Sequence, residues 1–513
     1  MSPKEFIVKS KAEDTLKELQ HYFENKAFIV SDVLSKDGKL QYADLVQEGG
    51  TLWGFALIGY IYILEEMGIR FYSMAGTSAG AINTMLLAVA GKADDKKHPQ
   101  ILEHILNVRL TDFLDGSPIQ SILAKLVSRK GFINNFVYIT RWIIMLFLAF
   151  AISAFLINMI IPHVALRPLN LVSLILLVII ISIFLSILIK LKDFIGKGYG
   201  PIRGAKFHEW LKDSIEKHHI HNDPKNNNIK NLADFNDHFS HHLDLKMRQN
   251  DLNKVPPNGS DRMITIITCE ISSKRKITFP KMWDMFWDKP EHVHPADLVR
   301  ASMSIPFFFK FYELTLPQDK ISAWKNHIQW NNKYLPNTVR FVDGGAISNF
   351  PLNVFQNPNY PEPRMPTFGV RLSSNDGNDE ISKLNSILDY IKTLVSMIRG
   401  YYDKDFELNN PAFILGVKYI NLEGHNSLNF FMSEDEKMKI FKKGADSAAV
   451  FLKDFDWVVY KRERINDIEN KKKISFNPNG LNDQAKIKSL IENISSDSEK
   501  QEIHKLFKNE YKD

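Results

Sequence analysis

The segment Gly76-Thr77-Ser78-Ala79-Gly80 decides the fold, because it joins a stretch that is typical of a buried strand to one that is typical of a helix. The strand-like run covers Arg70 to Ala75, and the helix-like run covers Ala81 to Ala90. A serine on such a sharp strand-to-helix turn holds its hydroxyl in the open, with the helix N-terminus behind it. The pattern G-x-S-x-G therefore predicts a nucleophile at Ser78 in an α/β fold.

A glycine-rich segment, Glu48-Gly49-Gly50-Thr51-Leu52-Trp53-Gly54, lies upstream of this turn. It follows a second strand-like run, Tyr42 to Gln47, and leads into an apolar helix predicted over Phe55 to Met67. Glycines permit positive φ and let several backbone N–H groups point at one place. The segment is therefore a candidate oxyanion site, in which main-chain donors face the nucleophile.

A third segment, Arg340-Phe341-Val342-Asp343-Gly344-Gly345, ends a predicted strand with an acidic residue on a tight glycine turn. Two further stretches extend the pattern: Pro295 to Pro306 before the acidic strand, and Asn349-Phe350-Pro351 after it. The order is glycine loop, G-x-S-x-G and then Asp-Gly-Gly. In this order the chain resembles the patatin-like phospholipase family over residues 42–455, apart from one insertion.

The resemblance implies a three-layer α/β fold with a mostly parallel central sheet. It also implies a serine acyl hydrolase of the phospholipase A or lysophospholipase type, with Ser78 as nucleophile and Asp343 as base of a Ser-Asp dyad. A carboxylate beside the hydroxyl can accept its proton during acyl transfer, so no metal or organic cofactor is required. The oxyanion donors would be Gly49, Gly50 and Thr51, and the supporting glycines Gly54, Gly76, Gly80, Gly344 and Gly345.

A catalytic triad is the alternative arrangement. An α/β-hydrolase triad in the order Ser, Asp, His needs a histidine after Asp343, and only His425 and His504 are available. His425 follows a predicted strand, Val417 to Leu422, so residue order alone leaves this alternative open. The early glycine loop and the Asp-Gly-Gly turn favour the dyad.

The glycine loop departs from the family pattern at two positions. When the loop is aligned on Gly54, Thr51 replaces the third glycine and Trp53 replaces a lysine or arginine. Main-chain donors can still form an oxyanion hole, because they do not depend on the side chain. The absent basic side chain leaves open which lipid head group is bound, and whether the chain is a relative that does not hydrolyse lipid.

Two apolar runs, Trp142 to Ile161 and Leu169 to Ile189, contain no charged residue. At about 1.5 Å rise per residue, some 20 residues span the roughly 30 Å hydrocarbon core of a bilayer. Pro162 to Pro168 is a short link suited to a tight reversal. The sequence therefore predicts a transmembrane hairpin inserted in the catalytic domain, and the alternative is a pair of buried core helices.

Basic residues gather on both sides of the hairpin, whereas its link contains only Arg167. Basic flanks mark the cytoplasmic side and attract anionic lipids. We therefore expect an integral membrane protein with a cytoplasmic catalytic domain, at the inner membrane if the source is a bacterium, and with membrane phospholipids as substrate and anchor. The flanking residues are Lys125, Arg129, Lys130 and Arg141 before the hairpin, and Lys190, Lys192, Lys197 and Arg203 after it.

Composition excludes other classes of protein. The net charge of +6 is modest, and no basic surface interleaved with aromatic residues is apparent, so nucleic acid is not an expected partner. A single cysteine, Cys269, excludes an internal disulfide and suits a reducing compartment. The chain divides into a polar N-terminal extension (1–41), the two parts of the catalytic domain (42–130 and 201–455), the hairpin insertion (131–200) and a charged tail (456–513).

Three segments of the second part have their own patterns. Residues 215–260 are rich in histidine, but the spacing matches no recognised ligand set, so solvated histidines are expected rather than a metal site. Ile381 to Ile398 has apolar residues at helical spacing before Arg399-Gly400, which predicts a helix that ends at the glycine. Because its polar face is not notably basic, we expect its apolar face to pack on the core. Ser433 to Glu436 predicts a capping box for a helix to about Asp454.

The activity has open alternatives. Another lipid esterase, such as a neutral-glyceride lipase or an acyl-thioesterase, would use the same residues. A membrane-tethered binding or scaffold protein without catalysis would keep the fold and lose the chemistry.

Overall fold

A computed structural model of the chain describes most of the catalytic domain. The described residues are 1–115, 198–220, 227–241, 243–248, 261–357, 360, 362–375, 381, 384–385 and 387–475, together with the isolated residues 138, 141, 142, 145, 149, 153, 182 and 186.

Helices and strands alternate along the chain. The helices are α1 (Pro3–Lys9), α2 (Ala12–Phe23), α3 (Gly54–Glu66), α4 (Ala79–Val89), α5 (His98–Leu106), α6 (Ala205–Glu216), α7 (Leu232–Phe239), α8 (Pro295–Ser302), α9 (Ile321–Ile328), α10 (Ile387–Asn409), α11 (Glu434–Asp454) and α12 (Trp457–Ser475). The strands are β1 (Val33–Ser35), β2 (Gln41–Gln47), β3 (Ile69–Thr77), β4 (Leu245–Met247), β5 (Ile264–Glu270), β6 (Arg275–Phe279), β7 (Tyr312–Thr315), β8 (Thr338–Asp343), β9 (Thr367–Ser373) and β10 (Val417–Asn421).

The described strands form one sheet in the order β10-β9-β2-β3-β5-β8-β7. Neighbours from β10 to β5 are parallel, whereas β8 runs antiparallel to both of its neighbours, β5 and β7. On β2, Ala43 and Leu45 point into the main core, and Val46 points into a smaller cluster with Phe350 and Phe413. Both faces of the sheet are therefore covered, which confirms the predicted α/β class with a central sheet.

The terminal segments belong to the same folded unit. Phe6 of α1 and Leu19 of α2 are completely buried in the main core. Strand β1 pairs with β2 and β4. At the other end, the Trp457 indole at the start of α12 donates to Asp32 Oδ1 at 3.0 Å. Both polar ends thus cover apolar surface of the catalytic domain.

The apolar helix α3 is buried from Phe55 to Glu65 because α11 crosses it. The crossing is close at two glycines, Gly59 in α3 and Gly444 in α11. A Cβ at Gly59 would overlap the carbonyl oxygen of Phe441, and a Cβ at Gly444 would overlap that of Ala56. The two backbones can approach this closely only because neither position has a side chain.

The predicted hairpin spans, 142–161 and 169–189, lie outside the described residues except for isolated positions. Among the residues that the structure does describe, no helix combines the length and apolar composition needed to cross a membrane. Asp115 accepts hydrogen bonds from the N–H groups of Gly204, Ala205 and Lys206, at 2.7, 2.5 and 3.0 Å. One carboxylate thus connects Asp115 to the start of α6 and caps that helix.

The helix predicted to end at Gly400 instead continues as α10 to Asn409. Gly400 can lie inside this helix because its φ is not positive and no other group lies within 4 Å of the position that its Cβ would take. The predicted core packing of its apolar residues is wrong: Ile387, Val395 and Ile398 are 70, 57 and 62% exposed. Helical spacing showed correctly which residues share a face, but it did not show which way the face points.

We expect Gly444→Ala to destabilise the fold, because its methyl group would overlap a backbone carbonyl that cannot move independently. The free energy of unfolding should fall by about 1–3 kcal/mol. Gly400→Ala is the matched control, since its methyl group would meet nothing within 4 Å and it should gain up to about 1 kcal/mol from helix propensity. Thermal unfolding of the purified full-length chain would measure both. Equal melting temperatures for the two variants would contradict the close crossing of α3 and α11.

Candidate active site

The ends of β3 and β8 meet on the same edge of β5. Ile267 of β5 pairs with Thr77 of β3, and the next residue, Thr268, pairs with Asp343 of β8. Strand β6 pairs with both Ile267 and Thr268 and so occupies the other edge. Because Ser78 directly follows Thr77, this arrangement brings Ser78 and Asp343 together.

Ser78 has a strained backbone conformation between β3 and α4. Its φ of 55° and ψ of −120° lie outside the regions that are open to most L-residues. Its N–H donates to Ser302 Oγ at 3.0 Å, and the Ser302 hydroxyl donates to the Ile267 carbonyl at 2.6 Å. These bonds tie the turn to β5, and such over-determined strain is typical of functional sites.

The Ser78 hydroxyl is covered. The residue is 4% exposed, and its Oγ lies 3.2 Å from Met303 Sδ. Met303, in the segment after α8, is itself buried. A substrate carbonyl can therefore reach Oγ only when Met303 or a neighbouring element moves.

Asp343 is buried and has one oxygen free. Its Oδ1 accepts the N–H of Gly345 at 2.7 Å, and its Oδ2 has no hydrogen-bond partner among the described residues. Burial raises the pKa of Asp343 above the usual value, against the lowering effects of the Ser78 hydroxyl, the Gly345 N–H and Arg399. The carboxylate is therefore a stronger base than an exposed aspartate.

The glycine loop lies directly against the nucleophile. A Cβ at Gly49 would be 2.9 Å from Ser78 Cβ, so only glycine fits at this position. The Gly49 N–H is engaged, because it donates to the Asn349 carbonyl at 3.1 Å. In the part of the chain that the structure describes, the N–H groups of Gly50 and Thr51 have no protein acceptor. Of the three predicted oxyanion donors, the Gly49 N–H already donates a hydrogen bond, and the N–H groups of Gly50 and Thr51 have no acceptor among the described residues.

The left-handed residue of this loop is Thr51, which corrects the expectation that glycines supply positive φ. Thr51 has φ of +50°, whereas Gly50 has φ of −165°, a value that any residue adopts. A β-branched residue at positive φ is an outlier. Space favours glycine at position 50, because a Cβ there would overlap the terminal methyl group of Leu372 and that side chain would have to shift.

Asp403 of α10 holds the segment that follows the acidic turn. Its carboxylate accepts the Ser348 hydroxyl at 2.7 Å and the N–H groups of Asn349 and Phe350 at 2.8 Å each. Asn349 in turn donates through Nδ2 to the Gly49 carbonyl at 3.0 Å. A chain of hydrogen bonds therefore connects α10 to the glycine loop.

Arg399, one turn before Asp403, contacts the acidic turn itself. Its Nε donates to the Gly345 carbonyl, and its Nη2 lies 3.3 Å from Asn349 Oδ1. Sequence reasoning missed the roles of Arg399, Asp403 and Met303 at this site. The motif Asn349-Phe350-Pro351 was the one signal for these contacts in the sequence, because an amide side chain beside the acidic turn needs hydrogen-bond partners. The sequence does not reveal that α10 supplies those partners.

A buried ion pair supports the loop from behind. Glu48, which precedes Gly49, pairs with Arg371 of β9 at 3.3 Å, and Arg371 also pairs with Glu407 of α10 at 2.5 Å. Burial raises the pKa of Glu48, against the lowering effect of Arg371. The loop is therefore held on two sides by groups that reach α10.

The histidines are placed elsewhere. The ring of His425 lies 3.6 Å from Glu436 Oε1, no histidine hydrogen-bonds Asp343 among the described residues, and 504 lies outside them. His218 faces His104 at 3.1 Å between the Nε2 atoms, and burial lowers the pKa of His218 to about 3. Residues 221 and 242 lie outside the described ranges. Within those ranges, no group of three or more possible metal ligands occurs.

Three comparisons relate the chain to known proteins. The family described as "Patatin-like phospholipase" matches residues 45–355. The protein YqhO of Bacillus subtilis strain 168, described as uncharacterized, is 21% identical over 416 residues, which cover 81% of this chain and all of that protein. The crystal structure of VipD from Legionella pneumophila aligns with a TM-score of 0.36 at 12% identity, and covers 85% of this chain and 73% of that chain.

We expect Ser78→Gly to be more stable than Ser78→Ala, because alanine keeps the strained Cβ and glycine does not. Relief of the backbone strain raises the free energy of unfolding of the glycine variant by about 1–3 kcal/mol. The greater conformational entropy of glycine in the unfolded chain offsets about 0.4–1 kcal/mol of this gain. Both variants lack the hydroxyl, so they differ only in backbone preference. Thermal unfolding under identical conditions would compare them. A higher melting temperature for Ser78→Ala would contradict the strained turn.

Proposed function

The chain belongs to the patatin-like phospholipase family and is a lipid hydrolase, and from that premise we propose that it cleaves phospholipid esters through an acyl-enzyme on Ser78. The observation that carries the proposal is the meeting of β3 and β8 on one edge of β5, with Thr77 and Asp343 paired to consecutive residues. The meeting of the two strands supports a pairing of Ser78 with Asp343, whose Oδ2 has no hydrogen-bond partner among the described residues. The same chemistry would serve phospholipase A and lysophospholipase substrates.

The proposed reaction has two half-reactions. Ser78 Oγ attacks the ester carbonyl carbon while its proton passes to Asp343 Oδ2, and the oxyanion that forms accepts hydrogen bonds from the N–H groups of Gly50 and Thr51. Collapse of this intermediate expels the alcohol, which takes the proton from Asp343. Water then attacks the acyl-enzyme and gives a proton to Asp343, and the proton returns to Ser78 as the fatty acid leaves.

The Gly49 amide takes a different role in this scheme. Because its N–H is bound to Asn349, it fixes the position of the loop, and the two amides that follow supply the oxyanion contacts. The glycine loop keeps its proposed role, but its residues differ in function: Gly49 holds the loop in place, and Gly50 and Thr51 stabilise the oxyanion. No step requires a metal or an organic cofactor.

We further propose that residues 131–200 anchor the enzyme as a transmembrane hairpin, with the catalytic domain on the cytoplasmic side. The support is the uncharged length of 142–161 and 169–189 and the basic residues on both flanks. Tyr138, Trp142 and Met145 are helical and at least half exposed. Asp115 accepts hydrogen bonds from Gly204 to Lys206 at the start of α6, and this contact supports a hairpin somewhere between these two places in the chain.

We expect Ser78→Ala and Asp343→Asn each to abolish fatty-acid release from defined phospholipids, and the double variant to be no worse than either. A nucleophile and its only base act as a unit, so their effects do not add. His425→Ala is the control and should keep most activity. Product analysis across head groups and acyl positions would also separate phospholipase, lysophospholipase, lipase and thioesterase activities. Equal loss in folded His425→Ala would favour a triad.

The pH dependence of kcat/KM offers a second measurement on the same proteins. Asp343 accepts a proton only when it is ionised, and burial raises its pKa. Activity should therefore fall on the acid side at a higher pH than about 3.9, the ordinary aspartate value. Failure of wild-type enzyme to release fatty acid or to react with a fluorophosphonate would favour a protein that has lost catalysis.

Single cysteines would test the topology. Cys269 is the only cysteine of the sequence, and it can remain in place because it is buried and burial raises the pKa of its thiol to about 12. We expect Val164→Cys to react with an impermeant maleimide on intact cells. Lys206→Cys, at an exposed position of α6, should react only after lysis. Labelling of Lys206→Cys in intact cells, or extraction by alkaline carbonate, would overturn the proposed hairpin.

A further inference from the structure

Helix α10 carries its apolar side chains outward. Ile387, Ile391, Leu394, Val395 and Ile398 recur at helical spacing and are all exposed. These residues, together with Tyr390, Met397, Tyr401 and Tyr402, which are also exposed, form one continuous stripe, called the α10 stripe below. At 100° per residue they occupy less than half of the helix circumference, so the stripe is one face of α10.

The opposite face of α10 is polar, and its C-terminal part contacts the domain through Asp403 and Glu407. Asp389, Thr393, Gly400, Asp403 and Glu407 follow the same helical spacing, and each is buried or half-buried. The polarity of a surface helix is therefore reversed, since such helices ordinarily bury the apolar face. A contiguous exposed apolar surface of this kind marks a site of interaction.

The polar face of α10 reaches the catalytic loops. Arg399 donates to the carbonyl of Gly345, and Asp403 binds Asn349, which holds the Gly49 carbonyl. The stripe thus lies on the same helix turns that position the acidic turn and the glycine loop. A contact with the stripe therefore acts on the helix that holds both catalytic loops, from the face opposite to them.

The chemistry of the stripe fits a lipid surface. Tyr390, Tyr401 and Tyr402 are distributed along it, and tyrosine is favoured where an apolar phase meets water. Lys276 lies at its edge and donates to the Tyr402 hydroxyl at 3.0 Å, a position suited to anionic head groups. Aliphatic side chains at the centre and tyrosines along the stripe suit insertion at the boundary between lipid and water.

We propose that the α10 stripe inserts into the phospholipid surface and that this contact positions the active site on its substrate. The inference rests on the proposed function, because the lipid that α10 contacts is the lipid that Ser78 would cleave. It also provides a reason for the covered nucleophile. Met303 lies against Ser78 Oγ, and α10, which would contact the lipid surface, is bonded to both loops around that serine.

The first experiment measures contact directly, independently of catalysis. Full-length protein is reconstituted in phosphatidylcholine–phosphatidylglycerol vesicles after a fluorescent nitrobenzoxadiazole label has been placed on a single cysteine, with buried Cys269 left in place. Val395→Cys and Ile398→Cys probe the stripe. Ser396→Cys is the matched control, since Ser396 is exposed on the other face of the same helix turn.

We expect acyl-chain nitroxide lipids to quench the labels at 395 and 398 by about half, because an interfacial helix buries its apolar face roughly 5–10 Å below the surface. The label at 396 should respond to aqueous iodide instead. Equal access of iodide to all three labels would overturn the proposal. Protection from both quenchers, with energy transfer between labelled copies, would also overturn it and assign the stripe to a second copy of the chain.

The second experiment separates this inference from the proposed function. Ile398→Glu should lower hydrolysis of vesicle phospholipid by about tenfold, because a carboxylate in an interfacial face opposes insertion. Its hydrolysis of a soluble short-chain ester should stay within about twofold of wild type, and Ser396→Glu, which adds the same charge off the stripe, should resemble wild type on both substrates.

The outcomes of this assay are distinct. A wild-type enzyme without activity on either substrate would defeat the proposed function, while the quenching experiment would still test the contact. Activity on both substrates with Ile398→Glu equal to Ser396→Glu would defeat the α10 stripe and leave the proposed chemistry in place.

Discussion

The hydrogen-bonded edge of β5 is the constraint on which the rest of this molecule depends. Two strands of opposite direction end on that edge, β3 at Thr77 and β8 at Asp343, against consecutive residues. Neither end can move along the edge without losing ladder bonds, and a slip of one residue would turn Asp343 to the other face of the sheet. The separation of the two side chains is therefore set by backbone pairing, which is stiffer than any contact between side chains.

Helix α10 is the second organising element, and the buried carboxylate of Asp403 attaches it to the domain. Asp403 is removed from water, which raises its pKa, while the Ser348 hydroxyl, two backbone N–H groups and Arg371 lower it. A buried carboxylate with several donors is costly to separate from them. This explains how a helix with an exposed apolar face remains attached to the domain: its polar side holds it, and the catalytic loops are the groups that it holds.

Local patterns in the sequence predicted the elements around the site, and long-range pairing supplied the rest. The turn at Ser78 and the helix after it follow from small residues between a strand and a helix. Arg70 to Ala75 lies within β3, and Ala81 to Ala90 lies within α4 except for its last residue. No local pattern could show that β5 joins Thr77 to Asp343, because that pairing depends on residues almost 200 positions apart. The direction of the α10 face was also beyond the sequence, since periodicity groups residues without showing what covers them. Thr51 illustrates a further limit, because propensity would not place a β-branched residue at positive φ.

The carboxylate of Asp115 binds the backbone at the start of α6, on the far side of the inserted segment in the sequence. Three hydrogen bonds to this one side chain hold Asp115 beside Gly204, although the two residues are 89 positions apart in the sequence. Lengthening such an excursion costs little in chain entropy, since the closure term grows only with the logarithm of length. Segments of very different size and character could therefore be exchanged at this position during evolution without disturbing the sheet. In this architecture the segment between Asp115 and α6 could be inherited independently of the strands that position Ser78 and Asp343.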